Sequence, residues 1–136
     1  MTDCLFCKII SWDIESTKIY EDDTFLAFLD INPVNPGHTL LVPKEHFKDL
    51  YEVPDEVLSK AGPIMKKIAN AIKRGVGADG INIGMNNEIA AGQEIFHAHF
   101  HIMPRMSDDG YEMWHGKPYD SDETKKNIAE KIRKSL

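Results

Sequence analysis

Positive charge is in deficit. Sixteen Lys and Arg stand against 22 Asp and Glu, a formal net charge of −6 in 136 residues. Wrapping a nucleic-acid polymer draws its affinity from clustered Lys and Arg, so no such partner is expected, whereas a small anionic substrate stays open. Long hydrophobic runs are missing too. The stretch from Thr24 to Ile31 is short and contains Asp30, well below the roughly 18 residues of a membrane helix. The start, Met1-Thr2-Asp3-Cys4, has no basic segment leading into an apolar one, so a soluble, cytoplasmic protein without a membrane partner is expected. There is no repeat, low-complexity tract or Ser/Gly linker. Cysteine is scarce, with Cys4 and Cys7 alone, spaced C-x-x-C. In a reducing compartment that spacing points to metal or redox chemistry before a structural disulfide, although no strand precedes it as a thioredoxin-like unit requires.

What is present is the composition of a globular protein, 42% hydrophobic and 28% charged, at a length suited to a single domain spanning 1–136. Lys18–Glu21 and Thr24–Asp30 read as strands of a hairpin around Asp22-Asp23. The turn-rich Asn32-Pro33-Val34-Asn35-Pro36-Gly37 reverses the chain into a third strand, His38–Val42, which Pro43 stops. After Pro54, Val57, Leu58, Ala61, Ile64, Met65, Ile68, Ala69 and Ile72 recur at helical spacing. They predict one long amphipathic helix, with Pro63 as a potential kink and Gly75 and Gly77 at its end. Ile81, Ile83 and Met85 alternate as a strand does, and so does Ile95–Met103, which Pro104 closes. Ser121 followed by Asp122 and Glu123 predicts the capped start of a C-terminal helix carrying Ile128, Ile132 and Leu136.

The segment Phe96-His97-Ala98-His99-Phe100-His101-Ile102 carries the chemistry. On a strand, the period of two sends the three imidazoles to one face and Phe96, Ala98, Phe100 and Ile102 to the other, with successive imidazoles about 7 Å apart at Cα. Two readings compete: a metal site, or a nucleophile with acid/base partners, since neutral imidazole attacks phosphorus or acyl centres near pH 7. Upstream, Asn86-Asn87-Glu88 and Ala91-Gly92-Gln93-Glu94 form a loop that could hold phosphoryl oxygens, although Asn and Gly mark any turn.

Taken together, four separated segments in order resemble the histidine triad (HIT) family: Cys4-Leu5-Phe6-Cys7-Lys8-Ile9-Ile10, Gly37-His38-Thr39-Leu40-Leu41-Val42-Pro43-Lys44-Glu45-His46, Ala91-Gly92-Gln93, and His97–Met103 as His-φ-His-φ-His-φ-φ. The resemblance covers about 4–105, leaving 106–136 as a variable tail with a helix. It implies an α+β fold, an antiparallel β-meander sheet with one long amphipathic helix and a C-terminal helix, in a homodimer whose sheets join. It implies hydrolysis or transfer at the α-phosphate of a nucleoside phosphoramidate or dinucleoside polyphosphate, purine favoured, releasing a nucleoside monophosphate such as AMP.

By the same resemblance His99 is the nucleophile that becomes nucleotidylated, flanked by His101 and His38. Asn86, Gly92 and Gln93 hold phosphate, and Asp30 binds the ribose diol. Leu5, Phe6, Ile9, Phe28, Ile31 and Leu40 line the base pocket, although Phe28, Ile31 and Leu40 could equally be core. Relatives with this C-x-x-C imply structural zinc on Cys4, Cys7, His46 and His97. Glu94 departs from the eukaryotic pattern, which has a small hydroxyl residue there, and Trp114 and His115 match no role. Two rival readings are a hydrolase whose histidine cluster holds a catalytic metal, and a nucleotide-binding scaffold with vestigial activity.

Overall fold

The computed structural model describes residues 3–136. Its elements are α1 (Leu5–Ile10), β1 (Lys18–Glu21), β2 (Phe25–Leu29), β3 (Thr39–Pro43), α2 (Asp55–Val76), β4 (Gly80–Gly84), β5 (Phe100–Arg105) and α3 (Asp122–Ser135). The strands form one antiparallel sheet in the order β1-β2-β3-β5-β4. The first three are the expected meander; β5 then returns between β3 and the edge strand β4. No helix among the described residues is long and apolar enough to cross a membrane.

β2 and β3 are apolar without alternation because both faces of the sheet are covered. Phe25, Ala27 and Leu41 point to one face, where they pack with Ala61, Ile68 and Ile72 of α2 and with Ile102. Leu26, Phe28, Leu40 and Val42 point to the other, against Phe6 and Ile9 of α1. Each large side chain buried here contributes about 1.5–3 kcal/mol. In register, His101 lies opposite Leu40. Residues directly opposite share a face, so His101 belongs to the α1 side while Ile102 enters the α2 core.

Three local expectations are corrected. First, the strand expected from Ile95 begins only at Phe100 and runs through Pro104 to Arg105. His97 and His99 precede it, and Phe96 is 38% exposed rather than packed on the apolar face. Second, Pro104 does not stop β5, which runs through it to Arg105, while β3 ends as expected at Pro43, itself its last residue. The β3–β5 ladder joins Thr39–Leu41 to Phe100–Ile102, and both prolines lie past its ends. The Pro43 carbonyl accepts from His97 and that of Pro104 from Asn35. Each missing N–H therefore falls on the side where the ladder is already over. Third, α2 runs unbroken through the exposed Pro63, and Gly75 lies inside it; Gly77 alone takes the left-handed cap, at φ 68°.

Gly37 has φ +105°, and a Cβ there would sit 3.1 Å from Val76 Cγ1. Only glycine fits this turn, and the turn delivers His38 to the sheet.

Candidate functional site

Four residues from three separate segments converge where α1 meets the entry to β5. Cys4 Sγ lies 3.4 Å from His97 Nδ1, Cys7 Sγ 3.4 Å from His46 Nδ1 and 3.6 Å from His97 Nδ1, and the two Nδ1 atoms are 3.1 Å apart. A tetrahedral zinc with Zn–N near 2.0–2.1 Å and Zn–S near 2.3 Å has ligand–ligand edges of about 3.3–3.8 Å. The donor set fits that geometry. His97, fully buried, donates Nε2–H to the Pro43 carbonyl at 2.8 Å, which leaves the Nδ1 lone pair facing the cluster. Burial pushes its pKa down to about 4, holding the ring neutral as a ligand must be. Burial, then the neighbouring Cys4, pushes the Cys7 thiol up to about 11. A bound cation would reverse that by displacing the thiol proton. Cys4, Cys7, His46 and His97 can therefore hold a metal ion.

His99, two residues on, faces away from that cluster into a cavity of about 830 Å³. Its Nδ1–H donates to the His97 carbonyl at 2.7 Å. The proton is thus fixed on Nδ1, and Nε2 carries a lone pair with no partner among the described residues. No buried side-chain nitrogen or oxygen among them lacks a partner, so this nitrogen is open to the cavity. Burial lowers the His99 pKa below the usual histidine value, which keeps the lone pair unprotonated at neutral pH. Phe6 packs edge-on against the ring, centroids 5.0 Å apart, and limits its rotation.

A second chain of hydrogen bonds fixes the flanking histidines. Val34 N–H donates to His38 Nδ1 at 3.0 Å, so the His38 proton sits on Nε2. That nitrogen is 3.0 Å from His101 Nδ1, with Asp30 Oδ2 at 3.7 Å. His101 Nδ1 is then the acceptor, and its own proton is on Nε2. Burial lowers the pKa of both rings against the opposing pull of Asp30, and the like-charged neighbours His99 and His38 help push His101 down to about 4. The result is a lone pair on His99 beside an N–H donor on His101, with ring centroids 5.0 Å apart.

The expected nucleotide residues fall mostly around the same cavity. Phe6, Ile9, Phe28 and Leu40 form buried walls; Leu5 is partly exposed, and Ile31, 90% exposed, stands at the mouth rather than in the core. Asp30 also lines it, its Oδ1 accepting from Asn32 N–H at 2.8 Å. Of the expected phosphate holders, Asn86 lines the cavity and spends one amide hydrogen on the Gly92 carbonyl at 3.4 Å, keeping another for a ligand. Gly92 lines it too, but its N–H donates to the Ile89 carbonyl.

Gln93 is the residue that the structure does not bring to the cavity. Buried at 4% exposure, it accepts from Glu88 N–H and donates to the Lys48 and Ile95 carbonyls. Its amide pins the loop carrying Asn86, including Glu88 at φ 74°. Sequence reasoning missed Glu15, Ser16, Thr17 and Asn32 on the cavity wall and, away from it, the Pro43 carbonyl that fixes His97. The last had a signal, since a strand proline leaves a carbonyl on the side without a ladder.

The chain is similar to several known proteins. The HIT domain profile matches residues 11–108. A HIT family protein from Bacillus subtilis, solved by crystallography, superposes with a TM-score of 0.92 at 43% identity, covering 98% of this chain and 97% of that one. A zinc-bound histidine triad family protein from Mycobacterium smegmatis superposes with a TM-score of 0.78 at 35% identity, covering 99% of each chain. An adenosine 5′-monophosphoramidase of Saccharomyces cerevisiae is 44% identical over 105 residues, 77% of this chain and 64% of that protein. The chain belongs to the HIT domain family.

Proposed function

We propose that this protein is a nucleotide hydrolase acting at the α-phosphate of nucleoside phosphoramidates or dinucleoside polyphosphates, purine nucleotides favoured, and releasing a nucleoside monophosphate such as AMP. The observation that carries this reading is the fixed tautomer of His99, whose unprotonated Nε2 opens into the cavity lined by Asp30. A ring held at both its backbone and its far nitrogen meets phosphorus with little left to organise, which is where intramolecular catalysis gains most.

In the first half-reaction the Nε2 lone pair forms a bond to phosphorus as the bond to the leaving group breaks. The departing atom keeps that electron pair and takes a proton from solvent. Water then attacks phosphorus and loses a proton, and the P–N electrons return to His99. His101 Nε2–H and Asn86 Nδ2 supply donors for the phosphoryl oxygens as charge builds on them. His38 acts through His101 by setting its tautomer. Asp30 accepts from a ribose diol, and the walls of Phe6, Phe28 and Leu40 take the base.

Cys4, Cys7, His46 and His97 would hold zinc, whose role with four protein ligands is structural. The ion ties α1 and the segment after β3 to the entry of β5, and the relative crystallised with zinc supports it. Reduced thiols at such a site suit the cytoplasm. The free edge of β4, where Ile83 is 49% exposed, suits a homodimer with joined sheets.

One observation favours a second reading: ligand atoms of Asp30, His38 and His101 lie within 4.8 Å of one another, as a catalytic metal would need. The direct His38–His101 hydrogen bond opposes it, because the proton occupies the space between the facing nitrogens. A turnover panel of adenosine phosphoramidate and diadenosine polyphosphates, with and without brief chelation, tests the choice. Turnover that survives chelation supports the His99 route, and abolished turnover restored by added metal supports the other. Tight AMP binding with negligible turnover of every substrate would leave a nucleotide-binding scaffold.

A further inference from the structure

Beside the His99 cavity lies a second, of about 530 Å³, lined by Asp3, Cys4, Leu5, His46, Glu94, Ile95 and Phe96. Leu5, Glu94 and Ile95 line both cavities, so the two adjoin across a ridge with a carboxylate on it. Glu94 has no hydrogen bond or ion pair with a described residue, unlike Asp30 and Gln93 nearby. The first cavity adds Glu15 and Asp30, the second adds Asp3, and among the described residues lining either there is no Lys or Arg. His99, 6% exposed with an unpartnered Nε2, faces the same space as Glu94. A phosphorus attacked by His99 would therefore lie within reach of carboxylates that no Lys or Arg among the described lining residues neutralises. Zinc in the Cys2His2 cluster would not change that, since two thiolates cancel its charge.

We propose that the second cavity is the leaving-group subsite and that Glu94, assisted by Asp3, selects a leaving group carrying a cationic amine on an apolar stem. The proposal rests on the nucleotide-hydrolase reading and deepens it, placing cationic alkylamine phosphoramidates ahead of dinucleoside polyphosphates and other anionic leaving groups. Phosphate or carboxylate on the leaving group would meet unpaired like charge, which disfavours the wrong partner. An ammonium would pair with Glu94 and Asp3 while its methylene stem lies along Leu5 and Ile95, with the ring of Phe96 at hand for a cation. Carboxylates this exposed are screened, so each is worth roughly a two- to five-fold preference at low salt.

Three adenosine 5′-phosphoramidates of matched chain length test it, made from 1,4-diaminobutane, pentylamine and 4-aminobutyrate. In the zinc-loaded wild-type protein at low ionic strength, kcat/KM should fall in the order ammonium, neutral, carboxylate, with an ammonium-to-neutral ratio of roughly five- to twenty-fold that shrinks as salt is added. Glu94→Gln should cut that ratio several-fold, and Asp3→Asn with Glu94→Gln should bring it near one. A wild-type ratio near one, a carboxylate preference, or the same ratio in Glu94→Gln as in wild type would overturn the subsite. Failure to cleave even the neutral amidate would instead count against the hydrolase reading. Competition of the three compounds against a fluorescent AMP analogue then reads the same charge order in binding, and an equal ranking there also overturns the subsite.

Discussion

Each histidine of the triad has a different job because each makes a different backbone or ring contact. His97 donates Nε2–H to Pro43, His99 donates Nδ1–H to His97, and His101 accepts at Nδ1 from His38. The motif was legible in the sequence; the tautomers of His97 and His101 were not. They depend on a carbonyl 54 residues from His97 and on the N–H of Val34, which no local pattern contains. Gln93 is the counter-example, a polar residue at a motif position whose amide is consumed by the backbone.

Two outcomes belong to this scale. Asp30→Ala should weaken adenosine nucleotides about ten-fold or more, toward the level of the 2′-deoxy and 3′-deoxy analogues, because only a diol profits from the carboxylate acceptor. Competition binding with all three nucleotides checks it, and undiminished discrimination in the variant would contradict the assignment. The second concerns pH. His101 titrates near 4 in the fold against an ordinary value near 6.5. Between those values the unfolded chain binds a proton that the folded one refuses, so stability is complete above 6.5 and falls as pH drops toward 4. Denaturant titrations of metal-stripped protein should show a shallower loss in His101→Gln than in wild type. The difference in slope should approach about 1.4 kcal/mol per pH unit.

Among the elements, the termini of β3 and β5 do the positioning. β5 was visible as an apolar alternation and β3 as an apolar stretch behind a turn, but reading Pro104 as a stop misplaces the end of β5. Proline forbids a ladder bond only on one side, and here that side had no ladder left. The six-residue helix α1 had no periodic signal at that length, although its Cys4 N-cap and Cys7 sit a turn apart as a clamp requires. If the Cys2His2 cluster carries zinc, Cys4→Ser or His46→Ala should remove roughly one equivalent of metal. Either should lower Tm by about 8–12 °C, the shift for ~2–3 kcal/mol in a chain of this size. The kcat of the remaining folded enzyme should move far less. Metal analysis with calorimetry decides it, and wild-type protein purified without chelator yet lacking stoichiometric metal would contradict the assignment.

For the whole molecule, the sheet separates two tasks. Its α2 face is a packed core, and its α1 face holds every histidine of the triad beside a cavity with apolar walls and acidic edges. The central claim is that chemistry passes through a covalent bond to His99. Wild-type protein mixed in excess over adenosine phosphoramidate and quenched in alkali, where a phosphoramidate bond survives, should carry an adenylyl mass increment on the peptide containing His97, His99 and His101, with fragmentation placing it on His99. His99→Ala should show no increment and lose three or more orders of magnitude in kcat while keeping AMP affinity. An increment on His97 or His101, or normal turnover by His99→Ala, would contradict the account.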